Sequence, residues 1–319
     1  MAIEMETARR ANKPPILITG AHRSGTTWVG RILAASSEVG LIYEPFNITS
    51  NRPGVCNHKI ENWFQYLSSS DHSPYRHVFD QTLSFKYSIR NEISALKTLR
   101  DVGRMARDWG KFSYYRFSHK RPVIKDPIAL LSAPWLYNEF QCQVVLLVRH
   151  PAAFASSLKR LNWPFDFKYL LNQNALMKDY LGDYREEMEV FKDPSDVIGQ
   201  AALLWKVLYS VVQKFECQFP TWNILRHEDL SRQPVIEFKK LFATLDLEFT
   251  DEVESQVKTL SSSDNPAEAP AGVVHQLQRD SRANIGNWKQ RLTAEEIQRV
   301  YMAVKLVSSH FYTDADWDV

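Results

Sequence analysis

Gly20-Ala21-His22-Arg23-Ser24-Gly25-Thr26-Thr27 spaces two glycines as a phosphate-binding loop does, after an apolar run and before a helical pattern. Backbone N–H groups at such a helix start point toward an anion, and the helix dipole favours negative charge there. A plain strand-to-helix turn competes for the same residues, because glycine pairs at this spacing also arise by chance. Where an ATP-type loop has lysine after its second glycine, this chain has Thr26, and its cation, Arg23, lies inside the loop. Phosphoryl transfer also wants a metal-binding hydroxyl with acidic partners. Thr27 offers the hydroxyl, but the run Val144 to Val148 ends in Arg149-His150 rather than an aspartate. A basic strand end suits another anion better than a metal, so no metal site is expected. Ser157 follows Arg149 by eight residues, with Pro151 opening the intervening helix. Two helical turns put that hydroxyl on the side of the guanidinium, which can hold a phosphate through two charged hydrogen bonds.

Such groups need a scaffold. Ile16-Leu17-Ile18-Thr19-Gly20 reads as a buried strand, and Trp28, Val29, Ile32, Leu33 and Ala34 recur at helical spacing until about Ser36. Further strands are expected at Val39 to Tyr43, Pro122 to Lys125, Val144 to Val148 and Trp222 to Leu225. Alternation with helical segments predicts an α/β fold with a central, mainly parallel sheet covered on both faces. Residues 51–121 read as a helical insertion, in which Ile93, Leu96, Leu99, Val102 and Met105 fall near i+3 spacing, as in a helix laid on a core. Trp63, Phe64 and Tyr66 in the same region have two readings, an acceptor wall or an aromatic core face. Between Asp166 and Phe219, Leu203, Leu204, Val207, Leu208, Val211 and Val212 form one apolar stripe, read as packing. Residues 261–285 are expected to be a mobile loop and residues 1–13 a flexible leader, within one domain spanning 1–319.

Composition removes several classes. Apolar residues make up 44% of the 319 and charged residues 24%, as in soluble globular proteins, and the net charge is +2. That balance leaves no general coat for nucleic acid or an anionic membrane, so any anion site must be local. The longest aliphatic run, Val144 to Val148, falls far short of the roughly 20 residues of a membrane span, and the first residues lack a signal-peptide core. Three scattered cysteines, Cys56, Cys142 and Cys217, fit reduced thiols in a cytoplasmic protein.

Arg23-Ser24-Gly25-Thr26-Thr27-Trp28 resembles the 5′-phosphosulfate loop of sulfotransferases that use 3′-phosphoadenosine 5′-phosphosulfate (PAPS). Arg149 to Ser157 resembles the same family's 3′-phosphate motif, with His150 in place of the usual Asp or Asn. Arg226-His227-Glu228-Asp229-Leu230 is similar to a later segment, with His227 in place of a tyrosine that approaches the adenine. Ser281 to Lys289, ending Gly-Asn-Trp-Lys, resembles the segment that closes over the nucleotide. The resemblance implies a three-layer P-loop-like fold, PAPS as cosubstrate and adenosine 3′,5′-bisphosphate (PAP) as product, without a metal. It assigns donor binding to Arg23, Ser24, Gly25, Thr26, Thr27, Trp28, Arg149, Ser157 and Arg282. Trp28 stacks on the adenine in that pattern, or packs in the core.

Sulfuryl transfer needs cations at the bridging oxygen and a base at the acceptor. Arg23 fits the first role, and Lys125 resembles a family lysine that enters from a neighbouring strand. Cytosolic small-molecule sulfotransferases carry a histidine base two residues beyond that lysine, where this chain has Pro127. Tyr43-Glu44-Pro45-Phe46 instead resembles the Glu-Pro segment of the carbohydrate branch, which makes Glu44 the expected base and Asp126 the alternative. The implied acceptor is a hydroxyl of a carbohydrate, glycolipid or specialised metabolite. Two rivals stay open: a magnesium-dependent P-loop nucleotide kinase, and a non-catalytic nucleotide-binding protein. Nothing in the pattern fixes the oligomeric state.

Overall fold

The computed structural model describes residues 13–49, 52–68, 72–191, 193–268 and 276–318. Most of the expected leader, 1–13, and the centre of the expected loop, 261–285, therefore lie outside the described residues. Five parallel strands form one sheet: β1 (Ile16–Gly20), β2 (Val39–Tyr43), β3 (Arg121–Lys125), β4 (Gln143–Val148) and β5 (Asn223–Arg226), in the order β2-β3-β1-β4-β5. The central strands β1 and β4 are aliphatic and buried almost throughout because both faces are covered. Ile16, Ile18, Val123, Val145 and Leu147 point into one core, while Leu17, Ile124, Val144 and Leu146 point into the other.

Helix α1 (Thr26–Leu33) covers the first face, and α2 (Leu99–Phe117) joins the second strand region to β3. Helices α3 (Pro151–Leu161) and α4 (Val197–Gln218) cover the second face. Helices α5 (Pro234–Thr244) and α6 (Asp251–Ser261) return to the first, and α7 (Ala294–Ser308) to the second. This is a three-layer α/β fold. Because α1 and α3 leave adjacent strands β1 and β4 toward opposite faces, a crevice opens between their starts at the carboxyl ends of the strands. Ligands of open parallel sheets bind at such switch points. The stripe expected on α4 is indeed packing: Leu203, Leu204, Val207, Leu208, Val211 and Val212 are all buried.

One expectation fails. Ile93 to Met105 do not share a helix laid on the core. A short helix ends at Ile93, and Thr98 starts α2 afresh with a capping box, its hydroxyl accepting from the Asp101 amide while the Asp101 carboxylate accepts from the Thr98 amide. The core side of α2 is instead Asp108 and Phe112, and Leu99 is 91% exposed. No helix of the described residues is long and apolar enough to cross a membrane.

Candidate active site

The loop after β1 owes its shape to positions that side chains rarely tolerate. Gly25 caps α1 at φ 102° and Arg23 takes the left-handed φ of 68°. At Gly20, φ 147°, a Cβ would lie 2.5 Å from the Leu147 carbonyl oxygen. No side chain caps α1, so its first amides and its dipole face the crevice. Ser24 folds beneath the loop, fully buried, with its hydroxyl unpartnered, rather than onto the cavity wall.

Beside the loop, Arg149 just before α3 and Ser157 midway along it both meet Arg23, Ser157 buried and off the cavity wall. Arg23 Nε donates to Ser157 Oγ at 3.1 Å, and Arg149 Nη1 donates to the Arg23 carbonyl at 2.7 Å. Helix α4 fixes the strand end that carries Arg149: Trp205 Nε1 donates to the Arg149 carbonyl at 2.8 Å and the Tyr209 hydroxyl to that of Leu147 at 3.0 Å. Arg149 is buried and its Nε has no partner. Burial pushes the Arg23 guanidinium down to about 9 and that of Arg279 to about 10, and repulsion among Arg23, Arg149, Arg160, Arg279 and Arg291 adds to it. Buried like charges are costly unless something of opposite sign joins them. Such a cluster is suited to an anion.

Arg282 was expected among these cations, but it sits on the surface with Nε donating to the Arg232 carbonyl at 2.8 Å. Arg279, three residues earlier, takes the place on the wall. Its stretch has no periodicity to say which arginine turns inward. His150 also turns away from the crevice, stacked on Trp288 at 5.0 Å and 13° and edge-on to Tyr312 and Trp317. This anchors the Gly-Asn-Trp-Lys segment to the β4 end, a tie the sequence did not signal.

Across the crevice, Glu44 follows β2 at φ 48°, its amide bonded to the Lys125 carbonyl at 2.9 Å. Its carboxylate pairs with Lys125 Nζ and accepts from Asn47 Nδ2 at 2.7 Å. Lys125 is buried, donates to Thr27 Oγ1 at 3.3 Å and lies 3.6 Å from the Tyr43 ring centroid. The chain Glu44–Lys125–Thr27 thus joins the expected base to the first turn of α1. Asp126 is different. Its carboxylate is fully buried, accepts from the amides of Phe46 at 2.6 Å and Ile128 at 3.0 Å, and is absent from the wall. Burial pushes it up to about 7 despite those two amides. Those bonds pin the β3 end to the turn after Glu44.

Arg23, Thr27, Glu44, Arg149 and Arg279 line one cavity of about 1350 Å³, whose wall Lys125 does not reach. Trp28 and His227 form one wall with Arg279. The Trp28 ring meets Phe238 edge-on at 5.2 Å and is 9% exposed, so it packs on the core and still borders the cavity. The other end is aromatic. His22, in the loop itself, contacts Trp63 at 5.6 Å and Trp163 at 5.2 Å, and the row continues through Phe165, Phe167 and Phe191. Of the aromatics flagged in the sequence, Trp63 lines the cavity, Phe64 is buried behind it, and neither lies on a helix. A smaller cavity of about 350 Å³, lined by Tyr43, Arg52 and Lys59, meets the first at Glu44 and Asn47.

The model of one protein family, the sulfotransferase family, matches residues 14–251. Among solved structures, the sulfotransferase domain from the curacin biosynthetic pathway is 16% identical, covering 92% of this chain and 98% of that one, with a TM-score of 0.45. Mouse sulfotransferase SULT7A1 complexed with PAP is 13% identical, covering 97% and 90%, at 0.45. Sulfotransferase STF1 from Mycobacterium tuberculosis H37Rv is 17% identical, covering 80% and 73%, at 0.36. No curated protein matches the chain.

Proposed function

The chain belongs to the sulfotransferase family, and on that premise we propose that it transfers the sulfuryl group of PAPS to an acceptor hydroxyl, with Glu44 as general base and PAP as product. What carries the reading is a single cavity with an uncapped, arginine-lined phosphate cradle on one side and the Glu44 carboxylate on the other. Arg149 and Arg279 hold the 3′-phosphate, Arg149 through the Nε that the protein leaves unpartnered. The α1 amides, Thr27 and Arg23 hold the 5′ end. The acceptor oxygen forms the new S–O bond as the bond from sulfur to the bridging phosphate oxygen breaks. Glu44 takes the hydroxyl proton, and PAP leaves with the electron pair of the broken bond. Arg23, the loop amides and Lys125 stabilise the charge developing on that oxygen, where preorganised donors act most strongly. The aromatic row beginning at His22 favours an acceptor with an apolar body, a glycolipid or specialised metabolite, over a bare carbohydrate.

Calorimetric titration with PAP, and separately with magnesium-ATP, tests the donor. Tighter binding of PAP without metal supports the proposal, and preference for magnesium-ATP replaces it with a kinase. Glu44→Gln then tests the base. Turnover, followed as PAP release, should fall on the order of 10²-fold or more while PAP affinity is unchanged. Equal loss of both would make Glu44 a structural partner of Lys125.

A further inference from the structure

Helix α2 presents its apolar side to solvent. Leu99 is 91% exposed, Phe117 80%, Trp109 49% and Val102 43%. Spacings of three, seven and ten from Leu99 bring Val102, Ala106 and Trp109 to one stripe, and Phe117 returns to the same angle five turns on. Gly103 and Gly110 lie along that stripe, with nothing within 4 Å of where a Cβ would be. The opposite side is fixed to the fold. Phe112 packs edge-on to Phe85 at 5.7 Å, and Asp108 pairs with Arg52, a residue of the smaller cavity beside Glu44. A two-sided helix of this kind normally has its polar side outward, so an exposed stripe of large apolar side chains marks a contact surface.

Charge selects the contact. Arg100 and Lys111 flank the stripe on one edge and Arg116 on the other, all exposed. Among the described residues no carboxylate pairs with these three. The two acids of the helix are spent elsewhere, Asp108 on Arg52 and Asp101 on Arg104 and its own capping box. A second copy of the chain would set this basic rim against itself. We propose that the outward face of α2 docks on an anionic lipid surface, with Leu99, Trp109 and Phe117 entering the interface and the three basic residues facing lipid headgroups. The proposal does not depend on which group the enzyme transfers.

Cosedimentation of the full chain with vesicles of phosphatidylcholine, and of phosphatidylcholine mixed with phosphatidylserine, tests it. Binding should need the phosphatidylserine and weaken with added salt. Lys111→Gln and Arg116→Gln should each weaken it roughly fivefold. Leu99→Ser combined with Trp109→Ser should abolish it, with thermal midpoint and PAP affinity unchanged as controls on folding. Failure of the parent chain to sediment with the anionic vesicles would overturn the proposal, as would equal binding by the variants. So would a dimer, seen by sedimentation equilibrium, that the apolar double variant dissociates, since the face would then belong to a second copy.

Discussion

At the scale of single residues, the proposed donor side of the crevice holds charge that the protein compensates only in part. Burial pushes down the guanidinium of each of Arg23, Arg149 and Arg279, and Arg149 pushes the other two down further. A protein holds such a cluster together because the fold places it at strand ends and because an anion relieves it. Glu228 relieves Arg149 and Glu268 relieves Arg279 only in part, Glu268 pairing with Arg291 at 2.9 Å. Arg279 and Arg282 therefore make a clean pair of tests. Arg279→Ala should weaken PAP roughly tenfold to a hundredfold, the worth of a charged hydrogen bond. Arg282→Ala, which loses only a surface bond to the Arg232 carbonyl, should leave PAP affinity unchanged. Titration of both variants decides it. The reverse order would return the 3′-phosphate to Arg282 and require this segment to rearrange when nucleotide binds.

At the scale of elements, the loop between β1 and α1 depends on His227 as much as on its own glycines. A Cβ on Gly25 would lie 2.5 Å from His227 Nδ1, at a backbone φ of 102°. Gly25→Ala thus meets two penalties: backbone strain of roughly 1–3 kcal/mol, and a collision that only the imidazole imposes. The thermal midpoint should drop, and His227→Ala should return part of the loss, leaving the backbone share. Equal loss in both backgrounds would mean that the imidazole moves aside freely. The elements themselves were largely legible in the sequence. β2 matches its expected bounds, and β3, β4 and β5 differ by a residue at their ends, because strands covered on both faces leave aliphatic runs bounded by polar residues. The positions of the loop, Arg149 and Glu44 were legible as well, since each lies at a strand end, and that of Ser157 followed from its place two turns along the helix after β4. Helix α2 was not. Periodicity marks a stripe on Leu99 and Val102 without saying which side is inward, and that was settled by Asp108 and Phe112 meeting Arg52 and Phe85. Arg279 was illegible for a related reason, as an irregular segment carries no period to orient its side chains.

For the whole molecule, the near-balance of charge conceals groups whose ionisation the fold has moved in opposite directions. Burial pushes His22 and His150 down to about 3 and His227 well below its usual value, and each loses a proton on folding wherever the unfolded chain would hold one. Between about pH 6.5 and 3 His22 and His150 bind protons only when unfolded, and His227 acts in the same direction, so their contribution to stability falls as the pH falls. Asp126, pushed up to about 7, and Glu228, also raised by burial, work the other way: between their unfolded and folded values the folded chain holds the extra proton. Near pH 5 the two histidines held at about 3 outnumber the carboxyl held at about 7, while His227 and Glu228 oppose each other, so the unfolded state binds more protons and stability rises with pH there. Urea midpoints should therefore fall as the buffer moves from about pH 7 to about pH 5, while above pH 7 the histidines no longer take up protons on unfolding and Asp126 gives up its own, so stability stops rising. His150→Phe separates the contributions, because a phenyl ring keeps the stack on Trp288 and removes the titration. That variant should lose a large part of the slope. A midpoint that held steady or rose toward pH 5 in the parent chain would mean that the carboxyls at the β3 end and beneath His150 outweigh the buried imidazoles.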